Sequence, residues 1–323
     1  MRAAVIGGGA MGSLATYLLQ SAGMEVVLCE RREERVAEIR SHGIRLAGAL
    51  PGEAFPRVAL PGEVDGVFDL MVLAVGVPEG PDALRPISPY VHRDTIYISL
   101  QEGSAVGELA QLVGGDRAFA AVAWASAVEL ESGVVQVEEL RSLVLGGLLP
   151  GTGERLAPLA EAMGATGAGK VRVANDLRGE VWRRLEAAAP VSGLCALLGS
   201  VPQEARKREE VDALCREAAE ECRRVATSAG IIPAGSESPW EDALWRQVKP
   251  PMLRDVEAAR KTEVDWLSGY VVGQARAAGI PAPVNGALAS LVREMEAGRR
   301  RVGGSNLKEL SRRVAQERGM SLD

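Results

Sequence analysis

Six residues near the start of the chain carry its clearest chemistry. Gly7-Gly8-Gly9-Ala10-Met11-Gly12 fits G-x-G-x-x-G, a pattern that becomes informative where it joins a strand to a helix. Ala3–Ile6 precedes it as a short apolar strand, and Met11–Ser21 follows with helical spacing. In that setting Gly7 permits the tight turn, Gly9 lets the backbone approach a pyrophosphate, and Gly12 lets the helix pack against the strand. The helix N-terminus offers N–H groups and the positive end of its dipole to phosphate. Gly7, Gly8, Gly9, Ala10, Met11 and Gly12 are therefore read as a dinucleotide-binding turn; the plain alternative is a βα turn with no ligand. Glu30 ends the second apolar strand, Glu25–Cys29, where an acidic side chain accepts hydrogen bonds from a ribose diol. Arg31 and Arg32 follow it and favour a 2′-phosphate instead. The three charges read equally well as the solvated start of a surface helix, so the residues alone leave NAD and NADP open.

Composition narrows the other chemistries. The chain has 323 residues, a formal charge of −6 and 4% aromatics. A net acidic surface with few aromatics is wrong for nucleic acid, which rewards cations and stacking platforms. Only His42 and His92 are available as histidines, and Cys29, Cys195, Cys215 and Cys222 are scattered. A metal site and a Ser-His-Asp triad are excluded on that ground. Dispersed cysteines fit a reduced, cytoplasmic protein. Residues 1–22 mimic a signal peptide, but the glycine run breaks their apolar core. No apolar run is long enough for a membrane span.

The elements that must position these residues change character along the chain. Leu70–Val75, Thr95–Leu100, Ala118–Ala123 and Ser142–Gly146 read as further strands, with helices over about 32–41 and 105–112. Strands alternating with helices predict an α/β domain with a doubly wound parallel sheet, covered on both faces. From about Leu177 helical periods take over, at 178–198, 203–229, 238–247, 251–277, 284–298 and 305–317. Ser238-Pro239-Trp240-Glu241 reads as a capping box with Pro at the first helical position. Gly279, Pro281 and Pro283 separate two helices. The division expected is 1–172 for the dinucleotide-binding domain and 173–323 for a helical substrate domain.

The longer motifs resemble the ketopantoate reductase (2-dehydropantoate 2-reductase) family. Asn175–Leu185 (NDLRGEVWRRL) is similar to that family's first helix of the second domain, Thr262–Gly269 (TEVDWLSG) to its T-E-I-D-Y-x-N-G stretch, and Ala278–Asn285 (AGIPAPVN) to its H-G-I-x-x-P-x-N turn. The resemblance spans about residues 2–300 and implies an N-terminal Rossmann domain, an all-helical C-terminal domain, a substrate cleft between them, and reduction of a 2-oxo acid by NADPH. It tips the cofactor toward NADP, with NAD the alternative, and makes the partner a small molecule, leaving monomer and homodimer both open.

Carried over residue by residue, the resemblance is mixed. The family lysine that acts as acid falls on Arg184, and the two asparagines one and two turns on fall on Ala188 and Ser192. Spacing of i, i+4 and i+8 puts all three on one helix face. The family glutamate is matched by Glu263, and the N-G after the fifth strand reads Glu102-Gly103, preceded by Gln101. A second family lysine falls on Gly76, after Val75, and a serine falls on Pro251. Arg184, Glu263 and Glu102 are thus the catalytic candidates. Val75 and Gln101 join the cofactor candidates, and Ser192, Trp124 and Ser126 are candidates for substrate. Arginine keeps its proton where lysine can give one up, so Arg184 is expected to hold a carboxylate or stabilise an oxyanion. Glu102 is expected to pair with Arg184, bind a cationic substrate, or share a proton with Glu263. Five lysines stand against 32 arginines, so drift from Lys to Arg explains Arg184 alone, but not Ala188, Gly76 or Pro251. The reading is a reductase of a small 2-oxo acid or related carbonyl or imine. The alternatives are 2-dehydropantoate reduction with arginine in place of lysine, and an NAD(P)-binding sensor or accessory protein without catalysis.

Overall fold

The structure is a computed structural model describing residues 1–131, 134–149, 151–167, 169–233 and 238–319. Packing divides it into two units: Met1–Gln101 with Ala105–Leu177, and Glu102–Ser104 with Arg178–Asp323.

The first unit is built on one ten-stranded sheet. Its strands are β1 (Arg2–Ile6), β2 (Glu25–Cys29), β3 (Ile44–Gly48), β4 (Gly52–Ala54), β5 (Arg57–Ala59), β6 (Phe68–Leu73), β7 (Val91–Ser99), β8 (Ala118–Glu131), β9 (Val134–Gly147) and β10 (Lys170–Val173). They lie in the order β4-β3-β9-β8-β7-β6-β1-β2-β5, with β10 beside β9. From β5 through β8 every pairing is parallel. Beyond that Rossmann-like half the sheet continues through an antiparallel β8–β9 pair and ends on antiparallel β3–β4. The helices α1 (Ala10–Ser21), α2 (Glu33–His42), α3 (Gly80–Leu84), α4 (Ala105–Val113) and α5 (Ala157–Gly164) complete the unit.

The apolar runs of β1 and β2 follow from burial on both faces. Ala3, Val5, Val26 and Leu28 belong to one core, and Ala4, Ile6, Val27 and Cys29 to the other, as the two-residue period of a strand requires. Burial of the Cys29 thiol, helped by neighbouring Glu30, pushes its pKa up to about 12, so it is no thiolate. His92 lies inside β7 and contacts Asp69.

The second unit is helical and, among the described residues, carries no strand: α6 (Leu177–Leu198), α7 (Pro202–Ala205), α8 (Glu209–Ser228), α9 (Pro239–Asp242), α10 (Pro251–Glu257), α11 (Ser268–Ala278), α12 (Pro283–Glu296) and α13 (Asn306–Glu317). Helix α6 begins at Leu177 and runs through the core; Leu185, Ala187–Ala189, Val191 and Leu194–Leu197 are all inaccessible. Its second half, from Ala187, is apolar on nearly every side, as a helix in the core should be.

Three predicted helical periods are interrupted. Residues 203–229 divide into α7 and α8, 238–247 keeps only the single turn α9, and 251–277 breaks into α10 and α11. Leu244 and Ala259 adopt positive φ, 68° and 52°. Charged contacts hold the chain open beyond Ala259: Lys261 bonds Asp265 and Glu296 at 3.0 and 2.7 Å, and the Thr262 N–H and hydroxyl donate to Glu296 at 2.7 Å each. The capping box is also absent: Ser238 offers no side-chain cap, and the turn rests on Glu241 N–H donating to the Ser238 carbonyl at 3.1 Å. Gly279 does close α11, and Pro283 opens α12. Asn285, fully buried, bonds Ala218 O (2.9 Å) and Glu221 (2.7 Å), while Glu221 also accepts the N–H groups of Val284 and Asn285. The A-G-I-P-A-P-V-N turn therefore anchors α12 on α8.

Candidate functional site

The first unit presents the glycine loop between β1 and α1. Gly7 has φ +104°, and a Cβ there would stand 2.7 Å from Val75 Cγ1 and 2.9 Å from Ala74 O. A left-handed backbone and a close neighbour both call for glycine. A Cβ on Gly12 would collide with the Gly7 carbonyl oxygen, whereas one on Gly9 would meet nothing within 4 Å. Helix α1 has Gly9 as its N-cap with no side-chain cap, and no acidic residue in its first turn. Its leading N–H groups thus face neither a capping side chain nor a repelling charge. The residues present fit a dinucleotide pyrophosphate.

Glu30 is 4% exposed. Its carboxylate accepts from Gly8 N–H (3.0 Å), Arg32 N–H (2.9 Å), Arg32 Nε (3.1 Å) and Arg32 Nη2 (3.0 Å). Burial raises its pKa, but the Arg32 and Gly8 hydrogen bonds outweigh that, leaving it below the ordinary value. Both oxygens are therefore engaged by the protein itself. Arg31 is exposed and paired with Glu79 at 2.9 Å. Gln101 joins the neighbouring loops: Nε2 donates to the Val75 and Gly76 carbonyls at 3.2 and 3.1 Å. The cofactor candidates Gly7, Val75 and Gln101 are thereby linked, as are Gly8 and Glu30. Trp124 and Ser126 lie on β8, each 2% exposed, and the Ser126 hydroxyl has no hydrogen-bond partner. Three residues that the sequence did not mark belong here: Arg35 and Ser13 bond the Gly8 carbonyl, and Glu129 pairs with Arg35. The only signal was Arg35 sharing a helix face with Val36 and Ile39, all three buried.

In the second unit Arg184 is 5% exposed on α6. It forms a bidentate pair with Glu102, Nη2 to Oε1 at 2.6 Å and Nε to Oε2 at 3.1 Å. Nη1 donates to the Asp242 carbonyl at 3.1 Å, and the guanidinium carbon lies 5.0 Å from the Trp245 ring centroid. A planar fork on a carboxylate, backed by an aromatic face, is a geometry arginine adopts and lysine does not. Ala188 and Ser192 follow one and two turns on, both buried. Glu263 is not on a helix: it lies in the segment between α10 and α11, where its carbonyl accepts the N–H groups of Trp266 and Leu267, each at 3.1 Å. The cations beside it are engaged elsewhere, Arg260 with Asp255 and Lys261 with Asp265 and Glu296. Ser104 N–H donates to Trp266 O at 3.3 Å. Glu102–Ser104 thus contacts both α6 and the segment holding Glu263.

A βαβ sheet with this turn is the architecture of a dinucleotide-binding protein, and the helical unit adds the part-buried Arg184–Glu102 pair. The family descriptions "Ketopantoate reductase PanE/ApbA" and "Ketopantoate reductase PanE/ApbA C terminal" match residues 3–149 and 176–296. The chain belongs to the ketopantoate reductase family, and with it to the NAD(P)-dependent oxidoreductases. It is 30% identical over 301 residues to 2-dehydropantoate 2-reductase of Mycobacterium tuberculosis, covering 90% of this chain and 96% of the relative. The crystal structure of 2-dehydropantoate 2-reductase from Geobacter metallireducens is similar at TM-score 0.81 and 26% identity, over 91% of this chain and 99% of that one. D-mandelate dehydrogenase, solved with NADH and anilino(oxo)acetate, shares the fold at TM-score 0.82 and 22% identity, over 92% and 99% of the two chains. Among the described residues no helix is long and apolar enough to cross a membrane.

Proposed function

We propose that the chain reduces a small 2-oxo acid, or a related carbonyl or imine, using Arg184 where the family resemblance expects a lysine. The observation that carries this reading is the part-buried, bidentate Arg184–Glu102 pair. NADPH is the favoured donor: Glu30 is occupied by Gly8 and Arg32, and the Arg31 and Arg32 side chains beside it, although paired with Glu79 and Glu30, are 72% and 52% exposed, where a 2′-phosphate would compete for them. NADH, as held by the D-mandelate dehydrogenase structure, is the alternative.

When bound, the reduced dinucleotide supplies a hydride to the carbonyl carbon. The carbonyl electron pair moves onto oxygen, where negative charge develops. Arg184 meets that charge as a fixed cation and keeps its own proton. The proton that completes the alcohol is delivered by Glu263, re-protonated from solvent. Glu102 holds the guanidinium plane, and Ser192, Trp124 and Ser126 are assigned to the substrate.

The test follows NADPH and NADH oxidation with aliphatic and aryl 2-oxo acids, 2-dehydropantoate, and 2-oxo acids with ammonia. Turnover is expected with at least one acid and is expected to fall about 10²-fold or more in Arg184→Met. Turnover of 2-dehydropantoate that rises in Arg184→Lys would identify the family's own reaction carried by an arginine. Tight cofactor binding with no hydride transfer across the whole panel would refute the reading and leave a sensor.

A further inference from the structure

Arg35 on α2 is 1% exposed, where arginine is rarely found without a specific partner set. Its Nε and Nη2 donate to the Gly8 carbonyl at 3.2 and 3.0 Å. Nη2 also reaches Ser13 Oγ at 3.3 Å, and Ser13 Oγ itself donates to the Gly8 carbonyl at 3.4 Å. Nη1 lies 3.4 Å from Glu129 Oε1 on β8, and Glu129 Oε2 is 3.9 Å from Arg32. Desolvating a guanidinium is costly, and a glycine βα turn is sterically complete without one.

We propose that Arg35, held by Glu129, is the positioning residue of the dinucleotide loop. Gly8 is clamped at both ends, its N–H by Glu30 at 3.0 Å and its carbonyl by Arg35. Among the described residues no peptide bond is cis. In a planar trans peptide the C=O and the following N–H point opposite ways. Drawing the Gly8 carbonyl down onto Arg35 therefore turns the Gly9 N–H away from the protein, toward the side where a Cβ on Gly9 meets only open space. Three consecutive glycines would otherwise sample many conformations. Fixing one peptide plane removes that cost before an anion arrives, which is preorganisation of the binding loop. The guanidinium also sets a cation behind the N-terminus of α1. The inference rests on reading this loop as the cofactor site.

The test titrates NADPH into wild type, Arg35→Met, Arg35→Lys and Glu129→Gln, with thermal midpoints measured alongside. For folded Arg35→Met the Kd for NADPH is expected to rise about tenfold or more, since small misplacement of a binding group is costly. The loss should appear in KM for the cofactor more than in kcat. Arg35→Lys should recover part of the affinity, and Glu129→Gln should weaken binding by a smaller factor. A purely structural Arg35 would lower the midpoint and the active fraction while leaving Kd alone. Wild-type Kd in folded Arg35→Met overturns the proposal; where that variant does not fold, wild-type Kd in both Arg35→Lys and Glu129→Gln overturns it. A wild-type protein that binds neither NADPH nor NADH would instead sink the reading of the loop itself.

Discussion

Removing the Glu102 carboxylate strands a guanidinium. Arg184 is 5% exposed and Glu102 22%, so in Glu102→Ala water reaches the vacated side only in part. Breaking a fully buried pair by deleting one partner costs about 3–5 kcal/mol. Partial access of water at Glu102, and the retained bonds to Asp242 O and the Trp245 ring, bring the expected cost to about 2–3 kcal/mol. At about 2–4 °C per kcal/mol for a unit of this size, the thermal midpoint should fall by about 5–10 °C. Arg184→Met should also destabilise, because it leaves Glu102 without its main partner. The double variant Glu102→Ala/Arg184→Met removes both charges, so its cost should fall below the sum of the singles by about 1.5 kcal/mol or more. Circular dichroism melts of the four proteins close the cycle. Additivity within about 0.5 kcal/mol would mean the two residues do not interact, and would remove the basis for assigning Arg184 a fixed orientation.

Three further outcomes follow from the glycine loop and the C-terminal helices. Gly12→Ala should cost about 2 kcal/mol or more, because its Cβ meets the backbone oxygen of Gly7 and neither side can yield cheaply. Gly9→Ala, facing open space, should melt like wild type yet bind NADPH about tenfold more weakly; wild-type affinity there would contradict a pyrophosphate at this turn. Glu309 bonds Arg312 and Arg313, and these hold its pKa down to about 2 from an ordinary 4.5. A lowered carboxyl pKa stabilises above the unfolded value, so the contribution of Glu309 to α13 should be complete above about pH 5 and protection should decline as pH falls from about 4.5 toward 2. Hydrogen exchange of residues 306–317 against pH reads this, and protection unchanged through that window would refute it.

The sheet was legible where burial covers both faces. The runs A-A-V-I, V-V-L-C and L-M-V-L announce buried parallel strands. The outer halves of β8 and β9 were not legible, since Glu129, Glu138 and Glu139 interrupt the apolar pattern. The helix breaks were hidden for a different reason. Leu244 and Ala259 are good helix formers, so neither marks a boundary, yet both take positive φ. What opens the chain after Ala259 is Glu296, some 34 residues ahead of Thr262, accepting the Thr262 N–H and hydroxyl and the Lys261 ammonium. A tertiary contact overrode local propensity, and it did so in the segment carrying Glu263. Glu30 shows a related limit: its position at the end of β2 is local information, but its occupation by Gly8 and Arg32 is not.

The Arg184–Glu102 pair bears on why the lysine is missing. With five lysines and 32 arginines, drift alone would put an arginine on α6 and leave the rest of the site as the resemblance expects it. An asparagine amide at position 102 could offer a guanidinium one carbonyl oxygen. A carboxylate offers two coplanar acceptors, and Glu102 uses both, at 2.6 and 3.1 Å. The two departures from the family pattern therefore complement each other in charge and in geometry, although 82 residues separate them in the chain. Drift in lysine usage does not produce a matched acceptor at a distant position. The proposed site, built around a permanently charged and rigidly oriented cation, accounts for both departures, and in that reading Arg184 stabilises developing negative charge without supplying the proton. That reading needs another proton source, which makes Glu263→Gln the decisive comparison: its turnover should fall while Arg184–Glu102 and cofactor affinity remain intact.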